Sequence, residues 1–146
     1  MIQKLNAKSF DKKVLQTTQP AVVDVWAPWC GPCRAMEPEF EAAAKNFSGQ
    51  ARFFKLNADD NPDLVRQYNV MGIPTTLYFR HGKLVARKTG VQSAEAIARK
   101  LKPLFDMSAE MAENQEITGL FAQPKRWLFG VAGGLLLVAG LLIWVF

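Results

Sequence analysis

Only two of the 146 residues are cysteine, Cys30 and Cys33, and only one, His81, is histidine. So few sulfur and imidazole groups exclude a small scaffold stapled by several disulfides, and they fall short of the four ligands that a structural zinc takes. No apolar run opens the chain: residues 1–10 return to charge too soon for a secretory signal, so export by a cleaved leader is not expected. Clustered basic stretches are missing as well. The 16 Lys and Arg of residues 1–105 are scattered among nine acids with no nucleic-acid signature, and we expect no nucleic-acid partner. Nor does the sequence repeat internally.

One long hydrophobic run is present, and it comes last. Residues 128–146 hold 15 apolar residues and four glycines, with no charge and no proline. As a helix they extend about 28 Å, close to the ~30 Å hydrocarbon core of a bilayer. A helix apolar on every side needs a large protein around it, which this chain is too short to supply, so the pattern predicts a single transmembrane helix in contact with lipid. Trp127 and Trp144 stand near its ends, as interfacial aromatics do. Lys125 and Arg126 precede it and no basic residue follows, which predicts a C-terminal anchor with the N-terminal domain facing the cytoplasm. Gly130 with Gly134, and Gly133 with Gly140, permit two such helices to pair closely as a dimer. Residues 106–127 join domain to span: 106–123 carry four acids and no base and read as a polar tether, and the basic pair follows.

Residues 1–105 read as one α/β domain. Residues 21–27, apolar and β-branched between Pro20 and Pro28, predict a strand buried on both faces, with Asp24 an anomaly in its middle. Met36, Phe40, Ala43, Ala44 and Phe47 recur at helical spacing until Ser48 and Gly49 stop the pattern, and Pro38 is expected to kink that helix. Residues 51–56 predict a second buried strand, and 61–67 a short helix capped by Asn61 with Pro62 in its first turn. Residues 75–80 and 84–88 flank His81-Gly82-Lys83 as a hairpin. Ser93, Ile97, Leu101, Leu104 and Phe105 mark a last amphipathic helix, and Ser9 is expected to cap a short one near the start. The order β-α-β-α-β-β-α, with room for a small strand before it, implies a mixed sheet flanked by helices on both faces.

Cys30-Gly31-Pro32-Cys33 follows the first buried strand and opens a helix. A thiol at a helix N-terminus faces unpaired N–H groups and the positive end of the dipole, which favour thiolate. Cys30, at the loop edge beside Trp29, is expected to be the exposed nucleophile. Cys33, one turn deeper, is expected to resolve the mixed disulfide, with Pro32 holding the turn. Asp24 is costly in a buried strand unless paired or neutral, so its pKa is expected to rise, making it a proton acceptor for Cys33. Lys55, in the neighbouring strand, is the expected partner of Asp24.

These residues carry a resemblance. Phe10-Asp11, the run from Val25 to Cys33, Pro38 in the helix after it, Lys55-Leu56-Asn57-Ala58-Asp59, Gly72-Ile73-Pro74-Thr75, Gly82 and Gly90 together resemble the thioredoxin family over residues 1–105. The resemblance implies the thioredoxin fold and a protein-disulfide reductase with no bound cofactor or metal. Its redox group would be the Cys30–Cys33 disulfide, with Gly31 and Pro32 between the cysteines. It also implies a cis proline at Pro74, a docking surface of Trp29, Gly72, Ile73, Pro74 and Gly90, and re-reduction by a thioredoxin reductase, flavin- or ferredoxin-dependent, or an equivalent donor. Two features depart from the pattern: the chain continues into an acidic segment and an apolar run, which would bring it to membrane-associated disulfide substrates, and Pro28 stands where many members carry Glu, Ser or Thr. A membrane-tethered oxidant or isomerase, and a redox-independent binding module, are the alternatives.

Overall fold

The computed structural model describes residues 1–115. Within them, β1 (Ile2–Leu5), α1 (Ala7–Phe10) and a π-helical turn (Asp11–Leu15) lead into β2 (Ala21–Trp26) and α2 (Gly31–Asn46). Then come β3 (Arg52–Asn57), α3 (Pro62–Gln67), the strand pair β4 (Thr75–Arg80) and β5 (Lys83–Thr89), α4 (Ala94–Phe105) and α5 (Ala109–Gln115). The sheet order is β1-β3-β2-β4-β5. The first three strands run parallel, while β4 and β5 pair antiparallel.

Because side chains alternate along a strand, each strand feeds both faces of the sheet. Val22, Phe53 and Tyr78 pack with Phe40 of α2 and Ile97 and Leu101 of α4. Val23, Phe54 and Leu77 face the other way, against Phe10, Val14 and Leu64. Residues 21–25 are completely buried, as expected of a central strand covered on both sides. Helix α2 runs on as one helix through Pro38.

Three local expectations change. Asn6, not Ser9, caps α1: Asn6 is extended, its Oδ1 accepts from Ser9 N at 2.9 Å, and Ser9 Oγ accepts from Asn6 N at 3.1 Å, a reciprocal box in which Ser9 is the inner member. Asn61 does precede α3, yet its side chain makes no cap; Oδ1 accepts from Ala7 N and Nδ2 donates to Asn57 O, tying the chain start to the end of β3. The hairpin turn shortens to His81 and Gly82, both at positive φ, because Lys83 already pairs with Arg80. Gly82 is obligatory there, since a Cβ would lie 2.6 Å from the Leu15 carbonyl oxygen.

The acidic segment does not begin as a tether. Met107 and Ala112 are buried in the α2/α4 core, Ser108 Oγ accepts from Met111 N, and His81 Nε2 donates to the Met107 carbonyl at 3.0 Å. Two apolar side chains spaced five apart suffice to seat one short helix against the sheet, so the folded unit extends past 105 to at least 115. Among the described residues no helix is long and apolar enough to cross a membrane. The expected span at 128–146, its pairing glycines and residues 116–127 lie outside the described residues.

Candidate active site

The site forms where β2 ends. Trp26 and Ala27 lead into a turn in which Cys30 N donates to Ala27 O at 3.1 Å and Arg34 Nη1 donates to Pro28 O at 3.0 Å. Cys30 is the N-cap of α2, and its Sγ accepts from Cys33 N at 3.2 Å; Gly31 and Pro32 occupy the first turn. Proline suits that turn because its missing N–H is one of the donors a helix start leaves unpaired. The two cysteines are joined as a disulfide, with Cα atoms 5.3 Å apart. The sulfurs therefore sit at the dipole's positive end, as the spacing predicts.

Cys30 is not the exposed group its loop position suggests. It is 4% exposed against 2% for Cys33, and both pack with Ala27, Trp26 and Ile73. What projects is Trp29, 68% exposed, with its indole N–H donating to Asp59 Oδ2 at 2.9 Å. The Ile73–Pro74 peptide bond is cis. Gly90 N donates to Pro74 O at 2.8 Å, and Thr75 Oγ1 donates to Gly72 O at 2.6 Å, so the 72–75 loop is bound to the end of β5 and held beside the cysteines through Ile73. Gly90 sits at φ +98°, a conformation that costs any side chain. Of the expected docking residues, Ile73 packs against the cysteines, Trp29 precedes Cys30 in the chain, and Pro74, Gly72 and Gly90 belong to the bonded loop that carries Ile73. Met71 and Val91, the sequence neighbours of Gly72 and Gly90, are exposed apolar side chains.

Asp24 is fully buried, and neither carboxylate oxygen has a hydrogen-bond partner among the described residues. Burial raises its pKa from 3.8 to about 7; the positive charge of Lys55 opposes this, and Glu37 adds to it. Lys55 is the Cα partner of Asp24 across β2 and β3 but does not bond to it. Its ammonium lies 2.6 Å from Glu37 Oε1 and 4.6 Å from the centre of the Trp26 ring. The long stem of lysine carries the charge toward the half-exposed rim, where Glu37 on α2 receives it. Glu37 was not singled out in the sequence, although it follows Cys33 by four residues on the same helix. Among the described residues no cluster of three or more His, Cys, Asp or Glu side chains is placed to hold a metal ion.

The arrangement can exchange electrons through two sulfurs and hold a proton on a buried acid of the strand that precedes them. Comparison with known proteins agrees. The family model for thioredoxin matches residues 1–103. The chain is 43% identical over 82 residues to the chloroplastic M-type thioredoxin of Spinacia oleracea, covering 56% of this chain and 45% of that protein. It is 45% identical over 85 residues to a thioredoxin of Acidithiobacillus ferridurans (58% of this chain, 79% of that one). A thioredoxin of Pseudomonas aeruginosa is 40% identical over 90 residues (62% and 83%). Against the plant chloroplast proteins the chain spans only about half of their length. With the fold, the joined cysteine pair at the start of α2 and the match over residues 1–103 together, the chain belongs to the thioredoxin family.

Proposed function

We propose that the protein is a thiol–disulfide oxidoreductase that reduces protein disulfides. The observation that carries this is the Cys30–Cys33 disulfide closed at the N-terminus of a long helix, following the strand that holds an acid which burial pushes up to about 7. In the reduced protein the Cys30 thiolate attacks one sulfur of a substrate disulfide, and the other substrate sulfur leaves and takes up a proton. Asp24 accepts the proton of Cys33. The Cys33 thiolate then attacks Cys30 Sγ, freeing the second substrate thiol and closing the intramolecular disulfide; one disulfide is reduced to two thiols as one dithiol is oxidised. Lys55 favours the carboxylate of Asp24 from a distance, and Trp29, Gly72, Ile73, Pro74 and Gly90 receive the substrate backbone. Gly31 and Pro32 keep the sulfurs at bonding range. Electrons return from a thioredoxin reductase or an equivalent donor.

The apolar run at 128–146 and the basic pair before it support a reading in which this domain is tethered to a membrane on its cytoplasmic side and serves membrane-associated substrates. A dimer through the span belongs to the same reading. The full chain in detergent, equilibrated against dithiol buffers and assayed for disulfide reduction, tests the activity. A reduction potential below about −250 mV is expected of a reductase, and one above about −200 mV assigns an oxidant or isomerase. Retention of the intact chain in vesicles washed at alkaline pH, with the domain open to added protease, is the expected result for the anchor.

A further inference from the structure

Strand β4 carries polar side chains where the sheet face around it is apolar. Thr76 and Tyr78 are completely buried on the side covered by α2 and α4, and Gln92, 5% exposed, enters between them from the loop before α4. Gln92 Nε2 donates to Thr76 Oγ1 at 2.8 Å, and Tyr78 O–H donates to Gln92 Oε1 at 3.2 Å. Buried polar groups are costly unless bonded, so the Gln92 amide is fixed at both ends.

One donor of this set is left over. A threonine hydroxyl offers one proton and two lone pairs; Gln92 uses a lone pair, and the proton has no protein acceptor among the described residues. Directly opposite Thr76 in the antiparallel β2–β4 register stands Asp24, whose two oxygens have no hydrogen-bond partner among the described residues. Opposed residues of such a pair project to one face with Cβ atoms roughly 5 Å apart. The charged groups facing Asp24 are Lys55 from β3 and Glu37 from α2, bonded to each other. From β4 the facing group is Thr76, and beyond it on β5 is its register partner, the exposed Lys88. An unpaired carboxylate and an unspent hydroxyl proton thus face each other across one strand pair.

We propose that Thr76, held by Gln92, is a positioning residue for Asp24: when Asp24 gives up its proton, the Thr76 hydroxyl turns to donate to the carboxylate and so sets the pH at which Asp24 accepts the proton of Cys33. The inference rests on the role given to Asp24 above. A hydrogen bond to the ionised form of an acid lowers its pKa, so Thr76 opposes the effect of burial. When Asp24 takes the Cys33 proton, the bond is lost with the charge.

The test is the titration of Asp24 in the full chain, oxidised and in detergent, followed by the carbon-13 shift of its side-chain carboxyl between pH 5 and 9, with Asp24→Asn to identify the signal. Thr76→Val keeps the shape and removes the hydroxyl; an upward move of the midpoint by about one pH unit, a tenfold gain in proton affinity, is expected. Thr76→Ser should restore the parent midpoint, and Gln92→Leu should shift it because the hydroxyl is no longer held. A Thr76→Val midpoint within about 0.2 unit of the parent overturns the proposal. If that variant fails to fold, Gln92→Leu decides in its place: an unmoved midpoint overturns, a moved one supports. Because no substrate is present, a shifted midpoint in a protein that reduces no disulfide would sink the proposed function and leave the Thr76–Asp24 coupling standing.

Discussion

Asp24 and Lys55 are Cα partners on adjacent parallel strands, yet the Lys55 ammonium lies 2.6 Å from Glu37 Oε1 and the Asp24 carboxyl has no hydrogen-bond partner among the described residues. The buried acid and its neighbouring cation are coupled through space rather than by contact. The acid therefore responds to whatever moves the Lys55 charge.

Changing one or the other member of the Lys55–Glu37 pair should retune Asp24 in opposite directions. Lys55→Met removes the cation that opposes burial and is expected to raise the Asp24 midpoint above its value of about 7. Glu37→Gln removes an anion and is expected to lower it. The pH dependence of the resolving step, measured by stopped-flow tryptophan fluorescence, should move with each; equal shifts of one sign would contradict the arrangement.

Folding stability should carry the signature of Asp24. Its folded pKa, about 7, lies above the ordinary value of 3.8. Below pH 3.8 both states are protonated and burial adds no ionisation cost. Between the two values only the unfolded state releases the proton, so stability falls as pH rises, by on the order of 4 kcal/mol in total, and levels off above about 7. In Asp24→Asn that fall should disappear from denaturant midpoints taken across the window, whatever the variant's absolute stability. A slope equal to the parent's would assign the pH dependence to other groups.

Single cysteine variants should separate the two sulfurs. Cys33→Ser is expected to accumulate a mixed disulfide between Cys30 and a substrate thiol, visible by mass spectrometry, since the resolving attack is gone. Cys30→Ser should accumulate none and lose disulfide reduction. Trapping through Cys33 instead would reverse the assignment.

Two glycines at positive φ should differ in cost. Gly82→Ala drives a Cβ to 2.6 Å from a backbone oxygen and is expected to lose about 3 kcal/mol or more, from strain and overlap together. Gly49→Ala, at φ +78° with nothing within 4 Å, should lose about 1 kcal/mol from conformation alone. Urea unfolding of both compares them; similar losses would mean that the contact under Gly82 relaxes freely.

Ending the domain at residue 105 should harm it. Met107 and Ala112 are buried in the α2/α4 core, and their removal is expected to cost about 2–3 kcal/mol relative to a fragment ending at 115. Thermal unfolding of the two fragments measures this directly, and equal stabilities would show that α5 adds nothing.

Strong local patterns were legible in the sequence. The apolar run at 21–27, interrupted only by Asp24, reads as a central strand, and Cys30-Gly31-Pro32-Cys33 placed a redox pair at a helix start, because the helix periodicity began there. The turn at His81 and Gly82 was visible to within one residue. Residues whose partners lie far along the chain were less legible. Asn61 looks like a cap, but Ala7, 54 residues away, takes its oxygen. Residues 106–115 look like a solvated tether because only two of their side chains are needed to dock them.

The order of elements through α4, the buried strand with an acid in its middle and the sulfur pair are readable from local pattern, since each depends on neighbours within a helical turn or a strand length. That Lys55 turns to Glu37, that Cys30 is covered by Ile73, that Asp24 faces Thr76 and that Gln92 spans Thr76 and Tyr78 was settled in packing. Those contacts join separate elements. Which of several nearby polar groups a side chain meets depends on strand register and helix docking to within an ångström, a quantity that emerges only when the whole sheet is packed.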